Sequence, residues 1–69
     1  MHKREWLKKA RKEKNLTLMS LAEKIGCSFN YISDLEHGRR NPSMKMAKKF
    51  SDELDFNIIR FLETEGETA

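Results

Sequence analysis

The segment from Leu16 to Pro42, LTLMSLAEKIGCSFNYISDLEHGRRNP, constrains this chain more than any other part of it. Leu18, Leu21, Ala22 and Ile25 recur at i, i+3, i+4 and i+7, the spacing of one buried stripe on a helix. Thr17 can cap that helix with its hydroxyl, and Gly26 follows the last apolar residue, where a left-handed turn is easiest for glycine. Ser28 can cap a second helix running to about His37, which Gly38 ends. Two short amphipathic helices hinged at one glycine, then a basic exit loop and an Asn41–Pro42 stop, leave room for little else.

The flanks also show helical spacing, and nothing alternates as a strand would. A helix from about Arg4 to Lys14 carries Leu7, Ala10, Arg11 and Lys14 on one side, with Trp6 at its edge and Asn15 as terminator. Ser43 caps a helix running to about Glu53, and Asn57 caps a last one with Ile58, Phe61 and Leu62. An apolar residue just before a cap often packs on the fourth helical residue, and Leu16 with Leu21, Cys27 with Ile32, and Phe56 with Phe61 all have that spacing. The expectation is an all-α, compact five-helix domain over residues 1–65, with a frayed tail at 66–69.

Size and composition narrow the function. A chain of 69 residues is one domain at most, and it lacks the bulk for a deep catalytic pocket. The single cysteine, Cys27, excludes an internal disulfide framework and fits a cytoplasmic setting. No apolar run is long enough for a membrane span, and the charged N-terminus does not read as a secretory signal. His2 and His37 lie far apart, no Cys/His spacing suits a metal, and no glycine loop cradles phosphate, so neither enzymatic activity nor a cofactor is expected. Charge is unevenly spread: residues 1–49 hold thirteen Lys and Arg against five Asp and Glu, whereas residues 50–69 hold one against six. The first part suits a polyanion, though charge runs are also ordinary solvated faces.

The second helix of the central pair is the candidate site. At 100° per residue, Ser28, Ile32, Leu35 and Glu36 point inward, while Asn30, Ser33, Asp34 and His37 point outward, flanked by Phe29 and Tyr31. Hydrogen-bonding side chains there suit the base edges of a DNA major groove. Asparagine can pair with adenine, serine can donate or accept, an aromatic edge can meet a thymine methyl, and Asp34 can accept from cytosine although it repels phosphate. The plainer alternative is a solvated polar face with Asp34 bonded to a neighbouring side chain. Phe29 can pack at the core margin or touch a base methyl, and Tyr31 suits a phosphate or partner contact better than the core.

With LAEKIG followed by YISDLEHGRRNPS, the chain resembles the Cro/C1-type (Xre) helix-turn-helix family of bacterial and phage repressors, from Leu7 to about Leu62. The resemblance rests on Leu21-Ala22, Gly26, Ile32-Ser33, Leu35-Glu36, Gly38 and Asn41-Pro42-Ser43 together. It implies a lambda-repressor-like fold with residues 28–37 as the recognition helix. It also implies a homodimer on a nearly palindromic double-stranded operator, with half-sites about 34 Å apart. Positions matching Phe29, Asn30 and Asp34 commonly touch bases in the family, and those matching Ser28, His37, Arg39 and Arg40 lie near phosphates. Arg11 and Glu36 match an internal salt bridge, which would explain an inward carboxylate. The chain departs from the family at Leu18, where glutamine is frequent, so anchoring at that helix start falls to backbone N–H groups and Thr17. It departs again at Asp55, where glycine is frequent.

The sequence thus predicts a DNA-binding transcriptional regulator of repressor type. Phe29, Asn30, Ser33 and Asp34 are the candidate base contacts, and Thr17, Ser28, Tyr31, His37, Arg39 and Arg40 the candidate phosphate contacts. The alternative is a protein-interaction module, such as an antitoxin or a subunit that sequesters another regulator. The last helix carries more apolar residues than one stripe needs, so Ile59 and Leu62 are candidates for a dimer seam or partner site.

Overall fold

Four of the five described helix starts are set by side chains that replace missing backbone partners. The computed structural model describes residues 3–66, with side chains to residue 62. They form five helices: α1 (Glu5–Glu13), α2 (Leu18–Ile25), α3 (Phe29–Glu36), α4 (Met44–Leu54) and α5 (Ile59–Gly66). Thr17 and Ser20 form a reciprocal box, in which Thr17 Oγ1 accepts from the Ser20 N–H at 3.0 Å and Ser20 Oγ accepts from the Thr17 N–H at 2.8 Å. The hydroxyls of Ser28 and Ser43 accept from the N–H groups of Tyr31 and Met46, each at 3.2 Å. Each cap contributes about 1 kcal/mol to its helix.

The stops use left-handed residues. Gly26 sits at φ 88°, so that the chain turns from α2 into α3 within three residues. Asn15 and Asp55 take φ of 59° and 62°, conformations that only short polar side chains tolerate among non-glycine residues. Asp55 therefore makes the left-handed turn that closes α4, with its N–H bonded to the Ser51 carbonyl.

Leu7 of α1, Leu21, Ala22 and Ile25 of α2, Ile32 and Leu35 of α3, Ala47, Phe50 and Leu54 of α4, and Phe61 of α5 form the core. Helix α2 packs on α3 and α4, and α1 lies across α3. Helix α5 is docked by aromatic edges: the Phe61 ring lies 5.2 Å from Trp6, 5.6 Å from Phe56 and 6.4 Å from Phe50. The Phe56–Phe61 contact is one of the three apolar brackets anticipated from sequence. Leu16 and Cys27, the leading members of the other two, are half-buried against the core.

Two boundaries differ from expectation. Helix α1 starts at Glu5 with no side-chain cap, because the Arg4 guanidinium has no acceptor to offer; that side chain is instead turned into the protein and is only 2% exposed. Helix α5 starts at Ile59, where Asn57 Oδ1 accepts from the Ile59 N–H at 2.9 Å, and it runs through Gly66. The remainder of the expected tail, residues 67–69, lies outside the described residues.

The inward carboxylate of Glu36 is held from α1. Arg11 Nε donates to Glu36 Oε2 at 2.7 Å and Nη2 to Oε1 at 3.3 Å, while Nη1 donates to the Leu16 carbonyl at 2.9 Å. Both side chains are nearly sealed from water, at 8% and 5% exposure. Removing one partner leaves a buried charge alone, whereas replacing both with apolar groups of similar volume is far less costly. Glu36→Gln is therefore expected to lower unfolding free energy by about 3–5 kcal/mol, and Arg11→Met with Glu36→Leu by clearly less, as urea titration would show. Equal losses in the two proteins would mean that the charge pair is not what matters at this position.

Candidate nucleic-acid interface

Residues of α3 that the core does not use form the outer face of the protein. Ile32, Leu35 and Glu36 are buried, whereas Phe29 and Asn30 are exposed and Ser33 and Asp34 are half-exposed. Phe29, at 46% exposure, stands clear of the core margin. Asn30 points outward from the first turn of the helix.

Ser33 and Asp34 are already engaged. The Ser33 carbonyl accepts from His37 Nδ1 at 2.8 Å, which puts the imidazole proton on that nitrogen, and Ser33 Oγ lies 3.5 Å from the same atom. Asp34 is not the free acceptor that an unobstructed base reader would be. Its Oδ1 accepts from Arg39 Nη1 at 3.3 Å, and its Oδ2 lies 3.9 Å from Arg40 Nε. This is the neighbouring-side-chain arrangement that the sequence left open. It arises because Gly38, at φ 76°, folds the exit loop back so that the Arg39 N–H reaches the Asp34 carbonyl at 2.9 Å.

The other candidate contacts sit around this face. Ser28 and Thr17 are exposed, and both hydroxyls serve as caps. His37, Arg39 and Arg40 are exposed. Tyr31 is half-buried against the core, and the Arg40 guanidinium lies 5.4 Å from its ring centre. An open groove of about 790 Å³ runs beside Phe29, bordered by Lys8, Lys12, Asn15, Thr17 and Met19. Leu18 is half-buried and also lines this groove, where it adds nothing polar. Arg11 also borders it, but its guanidinium is spent on Glu36.

Two residues here were not singled out from sequence. Met19 is 67% exposed beside Phe29, and its place at the second position of α2, off the apolar stripe, was a readable sign of that. Arg4 is the larger omission. Its Nη1 donates to the Leu35 carbonyl at 2.8 Å and to the Arg40 carbonyl at 3.1 Å, and its Nη2 to Asn41 Oδ1 at 2.6 Å. Its backbone N–H also reaches the Glu36 carbonyl at 2.7 Å. The available signal was its spacing, because Arg4, Leu7 and Arg11 stand at i, i+3 and i+7 and so share the buried side of α1.

The helix-turn-helix family profile matches residues 7–61, and the chain belongs to that family, in its Cro/C1-type branch. It is 38% identical over 63 residues to the HTH-type transcriptional regulator SinR of Bacillus subtilis, covering 90% of this chain and 57% of SinR. It is 37% identical over 59 residues to the ImmF control region 10 kDa protein of Bacillus phage phi105, covering 83% of this chain and 66% of that protein. The immunity repressor protein of the same phage is 36% identical over 52 residues, covering 75% of this chain and 36% of the repressor. A solved SinR–SinI complex superposes with a TM-score of 0.74 at 38% identity, over 91% of this chain and 62% of the solved one. The chain thus spans little more than half the length of SinR. No group of His, Cys, Asp and Glu able to hold a metal occurs among the described residues, and no described helix is long and apolar enough to cross a membrane.

Cys27 and Tyr31 make the start of α3 sensitive to alkali. Burial raises the Cys27 thiol above its ordinary 9.0, against a smaller opposing effect of Lys49. Burial raises the Tyr31 phenol above 10.0, helped by Cys27 and opposed by Arg40 and the Ser43 backbone. At neutral pH both groups are protonated in folded and unfolded chains, and their contribution to stability is complete. As pH rises through the ordinary values the unfolded chain ionises first, so stability falls until the folded groups ionise too. The urea midpoint is expected to drop between about pH 8.5 and 11, with a smaller drop for Cys27→Ala. A flat midpoint across that range would contradict the assignment.

Proposed function

We propose that this chain is the DNA-binding domain of a cytoplasmic transcriptional repressor that reads an operator half-site by laying α3 in the major groove. The observation that carries this reading is the exposure of Phe29 and Asn30 at the start of α3, between a lysine-bordered groove and the arginines of the exit loop. Asn30 would supply paired hydrogen bonds to adenine, and Phe29 an apolar contact to a thymine methyl. Arg39, Arg40, Ser28, His37 and the start of α2 with Thr17 would hold phosphates and fix the register.

Asn30→Ala is expected to weaken operator binding by about 1–3 kcal/mol and to leave binding to random duplex nearly unchanged. Arg39→Gln is expected to weaken both and to flatten the dependence on salt. Operators selected from random DNA, followed by titration of both duplexes, measure this. Equal losses for Asn30→Ala on the two duplexes would remove it from base reading.

The occupant proposed for α5 is a second copy of this chain. Ile59 and Leu62 are 49% and 59% exposed, and operator half-sites about one helical turn apart call for two recognition helices related by symmetry. Leu62→Asp is expected to leave the fold intact, to shift sedimentation toward monomer, and to weaken binding to a two-half-site operator at least tenfold. A wild-type chain that stays monomeric at micromolar concentration and on its operator would refute the seam.

A further inference from the structure

We propose that Asp34 is an internal substitute for a DNA phosphate, which occupies Arg39 and Arg40 when no duplex is bound and so lowers affinity for DNA of arbitrary sequence. The inference rests on the DNA-binding reading above and gives Asp34 a role other than base contact.

Each carboxylate oxygen of Asp34 faces a different arginine, Oδ1 toward Arg39 at 3.3 Å and Oδ2 toward Arg40 at 3.9 Å. A phosphate offers the same thing to a pair of guanidiniums: two anionic oxygens on one small centre. The posture is fixed from several sides. The Arg39 N–H is bonded to the Asp34 carbonyl, Arg4 and Asn41 hold the loop on the far side of Arg40, and the Tyr31 ring lies beside the Arg40 guanidinium. The two arginines are thus aligned in advance, at the edge of the helix, on an anion that belongs to the protein.

The charges decide the consequence. Two arginines and one carboxylate present one net positive charge to an approaching backbone instead of two. The arginine side chains are 54% and 56% exposed and Asp34 is 32% exposed, so water and salt screen the pairs and they exchange readily. Phosphate can therefore take the arginines over, but the carboxylate remains nearby and opposes it. Non-specific binding consists almost wholly of phosphate contacts, so this opposition falls on it in full. A cytosine amino group, by contrast, would have to compete for oxygens that already face cations.

The test titrates a labelled random-sequence duplex, at about 50–200 mM salt, with five proteins. These are the wild type, Asp34→Asn, Asp52→Asn, the double variant Arg39→Gln/Arg40→Gln, and that double variant with Asp34→Asn added. Asp52 is an exposed α4 carboxylate bonded to Lys48, and it controls for loss of one negative charge. Asp34→Asn is expected to bind five- to tenfold more tightly near 0.1 M salt, with a log–log salt slope steeper by about 0.9. Asp52→Asn should stay within about twofold of wild type, and in the arginine-free background the gain from Asp34→Asn should shrink to that level. Unchanged or weaker random-duplex binding by Asp34→Asn would overturn the proposal. If operator affinity fell at the same time, Asp34 would belong to base reading. A gain that persists without the two arginines would overturn it as well. Wild type that binds no duplex at the lowest salt would defeat the DNA-binding reading itself, a result distinct from all of these.

Discussion

The orientation of α3 depends on two buried arginines of the first helical segment gripping its C-terminal end. A helix ends with carbonyls that have no partner within it, and their combined dipole favours a cation nearby. Here Arg4 supplies donors to the carbonyls of Leu35 and Glu36, through its side chain and its backbone respectively. Arg11 neutralises the Glu36 carboxylate. The other end of α3 is set by the Ser28 cap and the left-handed Gly26. The helix is therefore fixed at both ends by polar contacts and along its length by Ile32 and Leu35, so its outward residues need contribute nothing to hold it in place.

The same grip extends to the exit loop. Arg4 also donates to the Arg40 carbonyl and to Asn41 Oδ1, so one buried side chain ties α1, the end of α3 and the loop together. The positions of Arg39 and Arg40 are then consequences of the interior, although their side chains lie in solvent. Interior and exit loop are coupled here through backbone carbonyls, which explains how two charges at the surface of a small domain can be aimed.

Much of this was legible in the sequence because it is local. Caps, apolar stripes and the Gly26 hinge each follow from residues within one or two turns, and the five helices fall within two residues of the expected limits. Asp55 was readable only in part, since the chain must turn there but nothing local says that an aspartate will adopt the glycine conformation. Arg4 was legible only as a residue on the buried side of α1, and its role was not. In MHKREWLKK it is one cation among several, and its partners lie 31 to 37 residues away. The Asp34–Arg39 pairing depended on how Gly38 closes the turn, a matter of a few ångströms that spacing alone leaves open.

Of the eight residues of α3, three are buried and carry its attachment to the core. Phe29 and Asn30 are exposed, and the stabilising contacts at that end of the helix come instead from the Ser28 hydroxyl. Exchanging an exposed side chain away from a cap or a core contact usually changes stability by less than about 0.5 kcal/mol, while one base contact is worth about 1–3 kcal/mol of discrimination. The asymmetry means that the surface facing a ligand can be rewritten with little cost to the fold. A domain of this size has a small stability margin, so an outer face built from residues that its core does not use is one that can change chemistry while the fold stays intact.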